Sequence, residues 1–332
     1  MEGTFLSEID IEVLSLYDIE IDKMYKGRDS YIIQQGKSVY KLMPFNGSES
    51  RIKFLEEMLD KLKASGYGLI DSYIYNKEGT IITSNELQEK YIVKTCVSGN
   101  ECDVKNTRQI LKSVEALARL HNALNKIELS MVIPETTEMV EEYDKHCKEL
   151  KKVKNYIRSR KRKTAFEYDM LSKYDEFYEM ACDTLVQLKS THYHELERSA
   201  IEKGCICHGN YNYHNVIIDG DDVNIINFEK AGLGLQIKDL YFFMRKIMEK
   251  HNWNLELGAS ILETYNCIKP IKQTEHNILM LMLQFPEKFW KVVNQYYNSN
   301  KSWIPDKNVE KLNMVYVQQH RKEIFIEKIL NR

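Results

Sequence analysis

His208-Gly209-Asn210-Tyr211-Asn212-Tyr213-His214-Asn215 runs into Val216-Ile217-Ile218, turns at Asp219 to Asp222, and returns as Val223 to Phe228, ending in Ile225-Ile226-Asn227-Phe228-Glu229. The β-branched runs on either side of the polar turn read as two short strands. Their surroundings read otherwise. From Thr107 onward the chain is patterned for helix, most plainly at Arg108 to Leu124, where Ile110, Leu111, Val114, Leu117, Ala118 and Leu120 recur at helical spacing. Two short strands set in a helical half and joined by loops rich in Asn and His gather hydrogen-bonding side chains in one place, which is where chemistry would be staged.

Upstream the pattern is mostly strand. Ile19 to Tyr25 alternates, Tyr31 to Gln34 is β-rich, Gln35-Gly36-Lys37-Ser38 is a turn, and Val39 to Met43 returns as a strand before Pro44. Asn46-Gly47-Ser48 then opens a helix predicted from about Glu49 to Ala64, with Ile52, Leu55, Met58, Leu59 and Leu62 on one face and Gly66 as its stop. Two further strands are expected, at Ile81 to Thr83 and Tyr91 to Lys94. The change of regime between Val93 and Gly99 sets the expected division, a strand-rich lobe over residues 1–94 and a helical lobe over residues 95–332. A chain of 332 residues accommodates two lobes with separate cores, because single cores stop growing near this size. The expected class is α+β.

The spacing of His208-Gly209-Asn210, four residues, then Asn215, followed by Ile225-Ile226-Asn227-Phe228-Glu229, resembles the His-Gly-Asp loop and Ile-Asp-Phe strand of aminoglycoside phosphotransferases and choline kinases. Leu117-Ala118-Arg119-Leu120-His121 is similar to the helix that precedes that loop in them. The resemblance implies a two-lobed protein kinase-like fold, a small antiparallel sheet lobe with one helix set on a large helical lobe. It implies ATP and Mg2+ as cofactors and an alcohol as acceptor. Carried over position by position, Asn210 stands at the catalytic base, Asn215 at the first metal ligand and Asn227 at the metal-binding aspartate. His208 opens the loop, and Asp239 is its structural brace. Lys41 takes the place of the strand lysine, with Glu57, sixteen residues later on the helix, as its partner. Tyr91, Ile92 and Val93 fall on the strand that borders the nucleotide.

The departures from that pattern bear on the chemistry. Phosphoryl transfer needs phosphates held, magnesium held and an acceptor hydroxyl aimed. Active members carry Asp at the first and third positions, where Asn210 and Asn227 stand here. An amide is neutral and cannot take the acceptor's proton, and losing a general base costs about 10²- to 10⁴-fold in rate. Magnesium prefers anionic oxygen. Glu229 is then the one nearby carboxylate of the motif able to compensate, and alternation along a strand is expected to put it on the face of Asn227. Three readings follow: a retained fold without efficient transfer, a small-molecule kinase working through Glu229, and a pseudokinase in which Lys41 and the strand near Tyr91 to Lys94 hold ATP without metal. The loop residues equally fit a purely structural role, and Lys41 with Glu57, or with Glu56 in the neighbouring register, equally fits ordinary solvated charges.

A narrower resemblance spans nearly the whole chain. Arg28-Asp29-Ser30-Tyr31-Ile32-Ile33, Gly99-Asn100-Glu101-Cys102-Asp103, Asp239-Leu240 with Arg245-Lys246-Ile247-Met248, Phe285-Pro286 with Phe289-Trp290, and Ser302-Trp303-Ile304-Pro305 are similar to landmarks of the CotS family of spore coat proteins. That likeness implies synthesis in the mother-cell cytoplasm, deposition in the spore coat and other coat proteins as partners, with no established need for kinase activity.

Composition agrees with a globular chain, at 43% hydrophobic and 29% charged, and a formal net charge of -2 offers no overall attraction to nucleic acid or an anionic membrane. Met1 to Asp10 lacks the basic start and apolar run of a secretory signal. No run approaches the roughly 18 apolar residues of a spanning helix. Seven scattered cysteines read as reduced thiols, and Cys205 with Cys207 lacks the further ligands that a metal site needs. The basic run from Lys145 to Lys163 is read as a solvated face or a docking surface for an acidic partner, with too few aromatics beside Tyr156 for nucleic acid. Phe285, Phe289, Trp290, Tyr296, Tyr297 and Trp303 are read as core.

Overall fold

The structure is a computed structural model that describes residues 8–28, 30–68, 70–130, 134–298 and 306–330. The expected landmarks at Asp29 and Ser302-Trp303-Ile304-Pro305, and the first seven residues of the N-terminal stretch, lie outside the described residues.

A helix, α1 (Glu8–Ser15), precedes three strands, β1 (Lys23–Gly27), β2 (Ser30–Gln35) and β3 (Ser38–Pro44). Helix α2 (Glu49–Ala64) follows, then β4 (Tyr73–Ile74), β5 (Ile82–Ser84) and β6 (Lys90–Thr95). These strands form one antiparallel sheet in the order β1-β2-β3-β6-β4, with β5 also on β6. Gly36, at φ +56, allows the two-residue turn that pairs Gln35 with Ser38. Ser48 caps α2 by accepting a hydrogen bond from the Arg51 N–H, and the helix keeps its expected bounds. The first strand does not. It starts at Lys23 rather than Ile19, and an unforeseen helix, α1, precedes it; Val13, Leu14 and Tyr17 pack on Ile33, Leu42 and Val93 across the sheet's outer face.

The remainder is mainly helical, as expected. It comprises β7 (Asn100–Glu101), α3 (Thr107–Leu124), α4 (Met139–Ser159), α5 (Ala165–Ser190) and α6 (Tyr193–Glu202). Then come β8 (Ile206–Cys207), a 3-10 turn at Tyr213–Asn215, β9 (Val216–Asp219), β10 (Asp222–Ile225) and β11 (Gly232–Leu233). Helices α7 (Ile237–Lys250), α8 (Leu255–Ile268), α9 (Gln273–Gln284), α10 (Glu287–Asn298) and α11 (Asp306–Phe325) follow, the last running into a π-helical turn at Ile326–Leu330. The cores are not separate by lobe. One core runs from α2 and the inner face of the sheet, through Phe54, Leu55 and Ile92, into α3, α7, α8 and α9. The short connections leave the apolar face of α2 nowhere to be buried except against both the sheet and the helical half. A second cluster joins α4, α5 and α10 around Phe166, Phe177, Phe289 and Tyr296. Phe285 is buried in the first core, as expected, Trp290 is half-buried and Tyr297 is exposed.

Candidate functional site

Strands β9 and β10 form the expected hairpin, with Ile225 opposite Val216, and β11 pairs with β8. The loop between β8 and β9 is pinned from beneath. Asp239, in the first turn of α7, is fully buried and accepts hydrogen bonds from the backbone N–H groups of His208 (2.7 Å) and Gly209 (2.9 Å) and contacts His121 Nε2 at 3.1 Å. Burial alone would raise its carboxyl, but the hydrogen bond and charge of His121, with His208, hold it below the usual range. His208 Nε2 donates to the carbonyl of Ile226, leaving Nδ1 to accept from the Asn210 N–H, and burial keeps the ring neutral by lowering its pKa. Gly209 sits at φ +76, where an added Cβ would meet the Lys230 carbonyl at 2.0 Å. Only glycine fits that turn.

From this loop a ladder of amides crosses to the next strand end. Asn215 Nδ2 donates to the Asn210 carbonyl (2.9 Å), and Asn227 Nδ2 donates to Asn215 Oδ1 (2.8 Å). Asn227 Oδ1 then accepts from Lys94 Nζ at 3.1 Å and Lys41 Nζ at 3.4 Å. Strand β10 ends at Ile225, and Asn227 occupies the left-handed region at φ +66. The alternation argued from an extended strand therefore does not operate at Asn227 and Glu229, yet both reach the same ammonium group because the chain turns there.

That ammonium belongs to Lys94, which sequence reading passed over. Its side chain is 2% exposed, and Nζ lies 2.6 Å from Asp71 Oδ2 and 2.5 Å from Glu229 Oε1. Burial opposes its charge, but Asp71 and Glu229 outweigh that and raise its pKa; in turn, against its own burial, Lys94 lowers that of Glu229. Asp71, also missed, is placed by the parallel bridge between Ile70 and Ile225, and its Oδ2 accepts the Asn227 N–H at 3.1 Å. Arg51, from α2, donates to the Glu229 carbonyl through Nη2 (2.8 Å) and Nε (3.3 Å). A signal for Lys94 existed: in Ile92-Val93-Lys94 it shares a face with Ile92, the face turned toward the helical half.

The remaining expected residues are placed differently. Lys41 stands opposite Lys94 on β3 and β6. Burial first, and the charge of Lys94 next, lower its pKa. Glu57 does not pair with it. It accepts from the N–H and hydroxyl of Ser130, both at 2.8 Å, and from Lys61, and the Ser130 backbone bond leads in drawing it down to about 2. The helix turns Arg51, rather than Glu57, toward the motif. Tyr91, Ile92 and Val93 lie on a central strand whose ladder positions are taken by β3 on one side and by β4 or β5 on the other. Ile92 and Val93 are fully buried in the cores on opposite faces, and Tyr91 donates to Glu89.

A magnesium ion does not fit this donor set. An oxygen of each residue that would ligate it is engaged by a hydrogen-bond donor: Asn215 Oδ1 by an amide, and Asn227 Oδ1 and Glu229 Oε1 by the Lys94 ammonium. No group of three or more His, Cys, Asp or Glu side chains able to hold a metal occurs among the described residues. Beside the ladder opens a cleft of about 960 Å³ lined by Arg51, Gly209, Asn210, Glu229, Lys246 and Trp290, among others. Its far wall carries His146, stacked on Trp290 at 3.4 Å between ring centroids and 3.3 Å from Glu287.

Comparison with known proteins places this geometry. Residues 11–329 match the family model described as "Spore coat putative kinase YutH". Spore coat protein S of Bacillus subtilis is 23% identical over 168 residues, a match that covers 49% of this chain and 47% of that protein, so the matched stretch spans about half of the curated relative's length. Among solved structures, an aminoglycoside phosphotransferase from Alicyclobacillus acidocaldarius superposes with a TM-score of 0.81 at 16% identity, covering 100% of this chain and 97% of that one. Amicoumacin kinase, solved in complex with AMP-PNP, Ca2+ and Ami, gives a TM-score of 0.65 at 13% identity over 97% of this chain and 93% of its own. At such identities the likeness shows the fold. No helix among the described residues is long and apolar enough to cross a membrane.

Proposed function

This chain belongs to the YutH family of spore coat proteins, and on that footing we propose that it is a structural or assembly component of the coat whose kinase-like cleft does not carry out efficient phosphotransfer. The supporting observation is the amide ladder. Asn210 and Asn227 stand where a working transferase of this fold places negative charge, Asn215 bridges them as a neutral amide, and the one carboxylate of the motif, Glu229, is paired with Lys94. Asn210 Oδ1 can accept a hydrogen bond from an acceptor hydroxyl but cannot remove its proton. The functional division lies at the end of β6, residues 1–94 forming the lobe that supplies Lys41, Lys94 and Arg51, and residues 95–332 the lobe that supplies the loop. Other coat proteins are the partners in this reading, with synthesis in the mother-cell cytoplasm.

Two experiments test it. Purified protein given magnesium-ATP with sugar, amino-alcohol or protein acceptors is expected to show no turnover above that of an Asn210→Ala variant; turnover clearly above that variant overturns the inactive assignment. Fractionation of mature spores is expected to recover the chain with the coat proteins, and recovery in the spore core alone overturns the coat assignment.

A second reading is favoured by one observation: Lys41 makes no ion pair with any described residue, and its Nζ reaches only the neutral Asn227 Oδ1, at 3.4 Å. It would hold a nucleotide without turning it over. Saturable ATP binding in chelator, weakened by Lys41→Ala, supports that reading, and the absence of such binding removes it.

A further inference from the structure

Two carboxylate oxygens and an amide oxygen converge at the end of β6. Asp71 Oδ2 comes from one stretch of the chain and Glu229 Oε1 and Asn227 Oδ1 from another, and all lie within 3.1 Å of one nitrogen, Lys94 Nζ. Anionic and amide oxygens in such a group are the ligand chemistry of a hard divalent cation. Here a side-chain ammonium stands at their centre, and its own side chain is 2% exposed. Lys94 lies on the sheet lobe, whereas Asn227 and Glu229 lie on the strand end that would carry metal ligands, so the ammonium also ties the two together. Arg51, from the same lobe, holds the Glu229 carbonyl.

We propose that Lys94 is a tethered replacement for the divalent metal: its ammonium neutralises Asp71 and Glu229, orients Asn227, and excludes Mg2+ and Mn2+ from the cleft. Charge balance favours this arrangement. Lys41 and Lys94 together cancel the two carboxylates, leaving no uncompensated negative charge to attract a dication. A dication entering the oxygen cage would sit against two ammonium groups unless Lys94 left it, and Lys94 has no exit to water in its buried position. Asn227 cannot turn its oxygen elsewhere without losing its bond to Asn215. The inference takes the kinase-like site assignment as given but does not depend on whether the chain is found in the coat or whether a nucleotide binds.

The test is titration of the full chain with Mn2+, followed by electron paramagnetic resonance of the free ion. Wild type is expected to bind no stoichiometric Mn2+ up to about millimolar concentration, a weak regime for a protein site of this ligand type. One tightly bound Mn2+ per chain that disappears in Glu229→Gln overturns the proposal. In Lys94→Met the cage loses its cation while keeping its oxygens, and Mn2+ affinity is expected to rise at least ten-fold over wild type. A folded Lys94→Met that gains no Mn2+ binding also overturns it. Should that variant fail to fold, the wild-type titration still decides.

Discussion

Lys41 and Lys94 face each other directly across β3 and β6, two cations on the inner face of one sheet. Like charges in that relationship destabilise a sheet, so the pair persists because Asp71 and Glu229 supply the opposite charge. Removing one anion should therefore expose the repulsion. Glu229→Gln is expected to cost about 3–5 kcal/mol of stability, the range for breaking a buried ion pair. The same change made in a Lys41→Met background should cost distinctly less, because one of the two cations has gone. Denaturant unfolding of the four proteins in the cycle measures the coupling, and additive effects would sink this account of the cluster.

Asn227 carries both a special backbone and a special side chain. At φ +66 a residue with Cβ is strained, and asparagine tolerates that region better than alanine. Asn227→Ala and Asn227→Gly both lose the bonds to Asn215, Lys41 and Lys94, so the difference between them isolates the backbone. The glycine variant is expected to be the more stable by about 1 kcal/mol. Equal stability in urea would show that the left-handed turn carries no strain.

The legibility of this chain divides along physical lines. Helix α2 and the hairpin at Gly36 were readable because capping, periodicity and turn chemistry are local and agree with one another. The loop from His208 to Asn215 was readable because its spacing is carried by a contiguous motif. What stayed hidden depends on long-range placement. Asp71 reaches the site only because Ile70 bridges to Ile225, residues far apart in sequence. Lys94 acquires its role from that placement, although a lysine sharing a strand face with Ile92 was a visible anomaly. Glu57 was misassigned because spacing along a helix does not say which of its faces turns toward the sheet, and here the face carrying Arg51 does so.

Asp239 and Gly209 are expected to be structural in different ways. Asp239→Asn keeps the shape but replaces a charged acceptor by an amide, facing two backbone N–H groups and His121 from a fully buried position. A loss of about 2–3 kcal/mol is expected, since hydrogen bonds to charged groups are the strong ones. Gly209→Ala must displace the Lys230 carbonyl, which an added Cβ would approach to 2.0 Å. Its loss should therefore appear with increased hydrogen exchange at residues 208–212. Wild-type exchange there in a folded Gly209→Ala protein would contradict the close approach.

Lys322 gives the fold a dependence on pH with a definite sign. Its Nζ donates to the carbonyls of Gln284 and Phe285, each at 3.0 Å, and burial pushes its pKa down to about 7, with Glu249 opposing and Arg245 adding to the shift. Burial likewise lowers Lys246, nearby on α7, to about 8. Between about 7 and the ordinary lysine value of 10.5 the unfolded chain carries a proton at residue 322 that the folded chain does not. Unfolding therefore takes up a proton, and stability rises with pH through that window, by up to about 1.4 kcal/mol per pH unit for one group. Below it both states are protonated and this contribution stays at its lowest. Buried thiols such as Cys102, whose pKa burial raises, act the other way once unfolded thiols ionise near pH 8.5. Melting temperatures measured from pH 6 to pH 8 should thus increase in wild type and increase less in Lys322→Met. An identical slope in the two proteins would remove Lys322 from the explanation.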